Sequence, residues 1–597
     1  MRPRRLARLL LLLIIPVLVL GQAPDESKER QARLAALLDK TIGEIRSLRL
    51  PENRAFAYAQ AGAIMWPQDQ TRALSLFQSA GTELASAMDT FAARQKPGRY
   101  YDPNGSVQFR QQVLTVIGEK NAALALDILY RTRPPAIAKA MTPPDPRDKR
   151  IGSYQNNGQY LAQNEAYLEN NLYRMAAEQD PLKAVPLLKA ALARPPSQST
   201  FEQLTRLAER DPAAAKDAGG DVIKRLVSTT YMRDGQPDYQ IISLTNQIVE
   251  HYMTMSAANP IDNSQAKLRF DADAVGDLAS KMITTYLTNK DARPYISTDT
   301  LLRYAQKFSP GYIDQLKQFN VEQPPNSNAI DTEYTKLMQA ETPPDQMLSG
   351  AGRLPTSYRS QVYTGASNKL LGQGNSSAAR AVLEENFTDD AREQALANFD
   401  QQNAYRLMNE SKFTDAEAVI NDLPEANRVN MLVQLATRAY SADKDKNRSY
   451  AVSVLENARG LVGDHPADNQ EMSQLMEVVG GFAQIEPSSA ADILEGLMPK
   501  VNELAEAAVV LWGFQDPNAV RDGEFVITQG SGFGQFGING YMFGQLANAD
   551  LDRTIRLIDS FSRPEMRVAM RLQMLSNSPT GISALTMSGR GNMIIRY

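Results

Sequence analysis

A chain of 597 residues, 43% hydrophobic and 22% charged, has the makeup of an ordinary soluble protein and the length to bury a sizeable core, which excludes disorder as its general state. The absence of cysteine excludes disulfides, thiolate metal sites, a cysteine nucleophile and a lipidated lipoprotein cysteine. A formal net charge of -4 disfavours non-specific binding to nucleic acid.

Residues 1–21 read as a secretory signal peptide. Arg2, Arg4, Arg5 and Arg8 form a basic start, and an apolar run follows from Leu9 to Leu20. That run is shorter than the roughly 20 residues a membrane helix needs. Cleavage is expected after Gly21, with Ala23 as the second choice. It would remove four arginines, make the remaining chain more acidic, leave no stable membrane span and deliver a periplasmic or secreted protein.

Beyond the leader, apolar residues recur at helical spacing: Leu34, Leu37, Leu38, Ile42, Ile45 and Leu48, then Tyr58, Ala61, Ile64 and Met65 after a helix start at Pro51. A pattern then appears that recurs along most of the chain: Asp or Asn, a small residue four positions later, a pair of apolar residues, and a further small or apolar one. Its copies open at Asp69, Asn121, Asp180, Asp211, Asn375, Lys412, Asn447, Glu486 and Asp550. The opening side chain caps the free amides of a helix, the small residue admits a partner helix, and the aliphatic pair fills the space between hairpins. In the copy at Asp180, with Ala184, Leu187, Leu188 and Ala191, Pro186 is expected to kink the helix by denying a donor to the Leu182 carbonyl.

Turn formers from Pro97 to Gly105 predict a loop, and Pro143, Pro144 and Pro146 a stiff connection. The repeat fades between Ser228 and Pro355, where Asp234-Gly235 and several proline pairs interrupt it. Helices are still expected around Ile241–Met253 and Ala274–Leu287. The organisation is therefore a signal peptide at 1–21, an N-terminal helical-repeat array at 22–227, an irregular helical middle at 228–355 and a C-terminal array at 356–597. A hairpin cannot bury its apolar face alone, so an all-α solenoid of stacked hairpins is the expected fold.

Ala73, Phe77 and Ala80 resemble the second helix of a tetratricopeptide repeat. Ala61, Ala404 and Ala439 supply the small residue that this family carries twelve positions before the first of those alanines. Leu172, Val113, Val478 and Met542 depart from it. The resemblance covers about half the chain and implies an irregular right-handed superhelix with a concave groove for a partner.

Motifs with chemical meaning are scarce. Only two histidines exist, His251 and His465, and neither has metal-ligand company in the sequence. Asp443, Asp445 and Asn447 imitate the start of a calcium loop, but Arg448 stands where the loop needs glycine and Val454 where it needs glutamate. Asp271, Asp273 and Gly276 imitate one too and end on Met282. All of these are read as cap or loop residues. Gly532, Gly534 and Gly537 follow the strand-like Phe525–Thr528 but lack the surrounding βαβ unit of a dinucleotide site. No cofactor or metal is expected.

Residues 529–544 read as a glycine-rich loop, with Phe533, Phe536, Tyr541 and Phe543 as candidate partner-contact residues or as a plug for the core. Asn592–Tyr597 reads as a terminal strand that pairs with Phe525–Thr528 in a minor β-element. The functional expectation is an exported, non-catalytic scaffold that binds a protein or cell-envelope component. The alternative is an α/α-toroid-like enzyme acting on polysaccharide through paired carboxylates, which would require two facing carboxyls about 5 to 9 Å apart across a cleft.

Overall fold

The structure, a computed structural model, describes residues 24–93, 103–141, 154–194, 196–197, 199–233, 236–256, 267–320, 333–515, 519–527, 538 and 540–577. The leader, the 592–597 strand, Phe533 and Phe536 lie outside them. Within them the protein is an all-α, solenoid-like helical-repeat fold with two small antiparallel hairpins.

The repeat pattern becomes a specific corner. Asp211, Asp443, Glu486 and Asp550 each end one helix and begin the next through a single extended residue, with φ between -158° and -138°. At Asp211, Asp443 and Asp550 the carboxylate accepts the amide three residues on, at 2.9 to 3.0 Å. Asn121 makes the same corner inside the long helix Pro103–Arg131, which bends there as Asn121 caps Leu124. Gln179 repairs the broken ladder, accepting from the Ala122 amide and donating to the Gly118 carbonyl. The small positions that follow, Ala73, Ala125, Ala184, Ala215, Ala379, Ala416, Ala451 and Ala490, are all fully buried. Proline opens the helices at Pro51, Pro212, Pro344, Pro487 and Pro564, where its missing donor costs nothing.

Close approach also depends on glycine. A Cβ at Gly62 would lie 2.5 Å from the Phe77 ring, and one at Gly118 would lie 2.5 Å from Leu172. Ala61, Ala404 and Ala439 are likewise fully buried.

Several local expectations are corrected. The helix expected from Asp180 begins at Ala184; Asp180 instead closes a turn by accepting from the Leu182 and Lys183 amides. Pro186 therefore sits in a first turn, where no Leu182 carbonyl awaits a donor, and the expected kink has no cause. The cap expected at Asn447 is Asp443, one turn earlier, and Asn447 binds the Ala439 carbonyl from within the helix. The loop through Gly105 ends sooner, since a helix starts at Pro103. Residues 540–544, expected as loop, open the helix Gly540–Ala549.

The strand at Phe525 is Glu524–Phe525, and its partner is Val520–Arg521. The other hairpin pairs Met232–Arg233 with Gln236–Pro237, a strand pair not expected from the sequence.

The largest apolar core joins the first and last described helices, which here form a seam between the two ends of the described chain. It runs from Leu34 through Ala191 and from Ala404 through Leu575, because the helix Pro564–Asn577 packs against both Pro24–Ile45 and Pro51–Met65. A second core spans Ala177 to Leu316, and small clusters occupy 337–366 and 371–399.

Polar contacts fasten the seam between the ends. Arg30 donates to the Ala547 carbonyl, Arg33 pairs with Asp552 and Lys40 with Asp559. Arg571, 1% exposed, binds Glu44 at 2.6 Å and also Asp559. The hairpin at 520–525 reaches back to the first helices. Glu524 accepts from the Arg49 and Leu50 amides and from Asn53, whose Oδ1 accepts from the Ile527 amide. Burial pushes the Glu524 carboxyl above its ordinary pKa range, and these donors oppose that shift.

Candidate functional site

The helix Pro487–Gln515 is the longest carrier of unsatisfied apolar surface. Its inner face, Ala490, Leu494, Leu497, Val501, Ala505 and Ala508, is buried in the main core. Near its end Val509 and Trp512 still face the protein, Trp512 edge-on to Phe525 of the hairpin. The opposite face carries Ala507, Val510, Leu511 and Phe514, spaced i, i+3, i+4 and i+7, all pointing to solvent. Phe514 is 95% exposed and Val510 72%. Glu503 and Glu506 flank the stripe on the N-terminal side. In the sequence this segment is apolar all round, which ordinarily marks a helix buried on every side, so the reading gave no reason to expect an open face.

Of the four aromatics singled out in the sequence, the structure describes two, and they differ in exposure. Phe533 and Phe536 fall outside the described residues. Tyr541 stands out from the helix Gly540–Ala549 at 59% exposure, whereas Phe543 is buried on that helix edge-on to Phe561, with ring centroids 6.1 Å apart.

Buried carboxylates occur in two places; Glu52, Glu165, Glu169 and Glu565 pair with arginine, whereas Glu524 is held by amide donors. Between the helices Pro103–Arg131 and Tyr154–Gln179, Glu165 binds Arg110 at 2.5 Å and Arg133 at 2.7 Å, and Glu169 binds Arg133 and Arg194. Tyr130 bridges Glu169 and Tyr173, and burial together with those bonds pushes its hydroxyl pKa upward. At the seam Glu52 pairs with Arg521 and Glu565 with Arg563. The arginine-paired carboxylates are charge-neutralised structural groups, whereas a glycosidic acid/base pair needs two facing carboxyls across a cleft.

His251 and the calcium-like positions Asp271 and Asp443 are structural as well, whereas His465 is exposed. His251 is buried, hydrogen-bonded through Nε2 to the Leu268 carbonyl and set between Phe201 and Phe270. Asp271 caps its helix through the Asp273 and Ala274 amides. Among the described residues no cluster of His, Asp and Glu could hold a metal ion, and no helix is long and apolar enough to cross a membrane.

One cleft differs in character. A cavity of 550 Å³ opens between the helices Tyr239–Met255, Ala272–Thr288 and Thr298–Phe308, lined by Tyr239, Gln240, Ser243, Asn246, Met282 and Thr300 among others, with no ionised side chain in its lining among the described residues.

No family model matches the chain, and no curated protein matches it. Among solved structures it aligns with a circular tandem repeat protein with novel repeat topology and enhanced subunit contact surfaces, at 12% identity over 92% of this chain and 97% of that one, with a TM-score of 0.11.

Proposed function

We propose that this protein is an exported, non-catalytic helical-repeat scaffold that binds another protein of the cell envelope through the outer face of the helix Pro487–Gln515. The observation that carries the proposal is the stripe of Ala507, Val510, Leu511 and Phe514, an apolar helix face left in water beside a well-packed core. Such faces are costly to expose and are commonly covered by a partner. The i, i+3, i+4, i+7 spacing suits an amphipathic partner helix lying alongside it. An anionic membrane surface fits less well, because Glu503 and Glu506 would face its headgroups. The basic leader at 1–21 supports export, and the tetratricopeptide-like pairing of Pro51–Met65 with Gln70–Ala93 supports a scaffold role.

The test is a photo-crosslinking residue at Leu511 in the full chain expressed in its own cells. The isolated exposed apolar position Leu182 serves as control. The proposal expects a discrete protein adduct from the periplasmic or secreted fraction at 511, absent at 182 and lost in Phe514→Asp. A chain retained in the cytoplasm with its leader intact would overturn the export reading. Equal labelling at both positions would overturn the partner surface.

A further inference from the structure

We propose that the cleft between the helices Tyr239–Met255 and Thr298–Phe308 is a binding site for an uncharged oligosaccharide. The cavity, at 550 Å³, falls within the roughly 300 to 1,000 Å³ of small-molecule sites. Its lining combines uncharged polar side chains with an apolar floor. One face of the first helix presents Tyr239, Gln240, Ser243 and Asn246, which share a side by their spacing, and the start of the second helix adds Ser297 and Thr300. Ile242, Met282 and Ile296, the first and last 4% exposed and Met282 1%, make an apolar floor.

The polar groups are available. Among the described residues the side chains of Gln240, Ser243 and Thr300 make no hydrogen bond. The Tyr304 hydroxyl, 2.5 Å from Asn246 Oδ1 and 2.9 Å from Glu250 Oε1, holds one end of the Asn246 amide and leaves the other without a partner. Of the neighbouring carboxylates, Glu250 is paired with Arg303 at 2.7 Å and Asp238 caps its own helix by accepting from the Ile241 amide. A phosphate or carboxylate ligand would lose its hydration here and meet no counter-charge, so charged ligands are disfavoured. Hydroxyls and amides arranged around an apolar floor, with an aromatic ring 53% exposed at the rim, instead match the two surfaces of a neutral sugar: hydroxyls around its edge and C–H groups on its face. This site is separate from the apolar stripe and does not depend on the reading of that surface.

The test is titration calorimetry of the full chain with two uncharged probes, tetra-N-acetylchitotetraose and maltotetraose, and with tetraalanine bearing blocked ends as the peptide control. The inference expects saturable binding of at least one sugar. Tyr239→Ala and Thr300→Ala, both at the cleft surface and both checked for an unchanged unfolding midpoint, should each weaken it by about tenfold or more, the ratio that 1.4 kcal/mol confers. Overturning results are no sugar binding at probe concentrations up to about 10 mM, where affinities weaker than roughly -3 kcal/mol begin, binding unaffected by both substitutions, or binding of the blocked peptide alone.

Discussion

The seam where the chain ends meet and the segment from 337 to 399 are built from the same kind of helix, yet they are held in different ways. At the seam, helices more than 470 residues apart in sequence share one core, which is crossed by Arg571 and the Glu524 acceptor cluster and edged by the exposed Arg33–Asp552 pair. From 337 to 399 the helices are near neighbours in sequence, but their apolar residues form two small clusters, one of six buried residues and one of four. Proximity along the chain therefore does not set the strength of the packing. What decides it is whether a hairpin finds a large neighbouring face on both sides.

The largest effect expected from breaking this contrast is at the seam. Arg571→Leu leaves Glu44 and Asp559 facing a side chain that cannot pair with them, at a cost of about 3 kcal/mol. Denaturant unfolding should shift as a whole, since the affected core is the largest. In the small cluster, Leu354→Ala should cost about 2 to 3 kcal/mol locally. Its effect should stay within 344–372, read by proteolysis that opens that segment while the main transition stays in place. A main transition that shifts equally for both variants would erase the distinction.

How much of this was legible depends on whether its cause is local. The corner caps and the buried alanines could be read because capping and close approach act within a few residues: Asp211 and Ala215, or Asp550 and Thr554, sit within one turn. The departures at Asp180 and Asn447 are shifts of register of about one turn: Asp443 takes the cap expected of Asn447, whereas past Asp180 the helix opens at Lys183 with no side-chain cap. The seam left no local sign. Arg30 and Ala547 are ordinary helix residues, and nothing in the sequence around either names the other. The outer face of 507–514 could not be told from core, because hydropathy records that a residue is apolar and not what lies over it.

His251 sharpens the comparison from the second core. Burial, with a smaller contribution from Arg269, lowers its pKa, opposed by its bond to the Leu268 carbonyl. The folded state thus resists protonation relative to the unfolded chain. Its contribution is intact above the unfolded value of about 6.5 and is lost as pH falls below it. Stability measured from pH 8 to 5 should fall more steeply in the native protein than in His251→Gln, which cannot titrate. Parallel curves would remove the buried histidine from the account.

The smallest effect should come from the outer stripe. Phe514→Asp, on a side chain 95% exposed, should change unfolding stability by no more than about 0.5 kcal/mol. A larger loss would mean that this face packs within the folded chain, leaving it unavailable to a partner.

The most direct test of the shared core is native-state hydrogen exchange on the helices Pro51–Met65 and Pro564–Asn577, in the native protein and in Arg571→Leu. The account predicts that the two helices open together with similar protection, and that the substitution lowers both by the same amount although it alters only one. If 564–577 loosens while 51–65 keeps its protection, the two ends of the chain do not form one cooperative core.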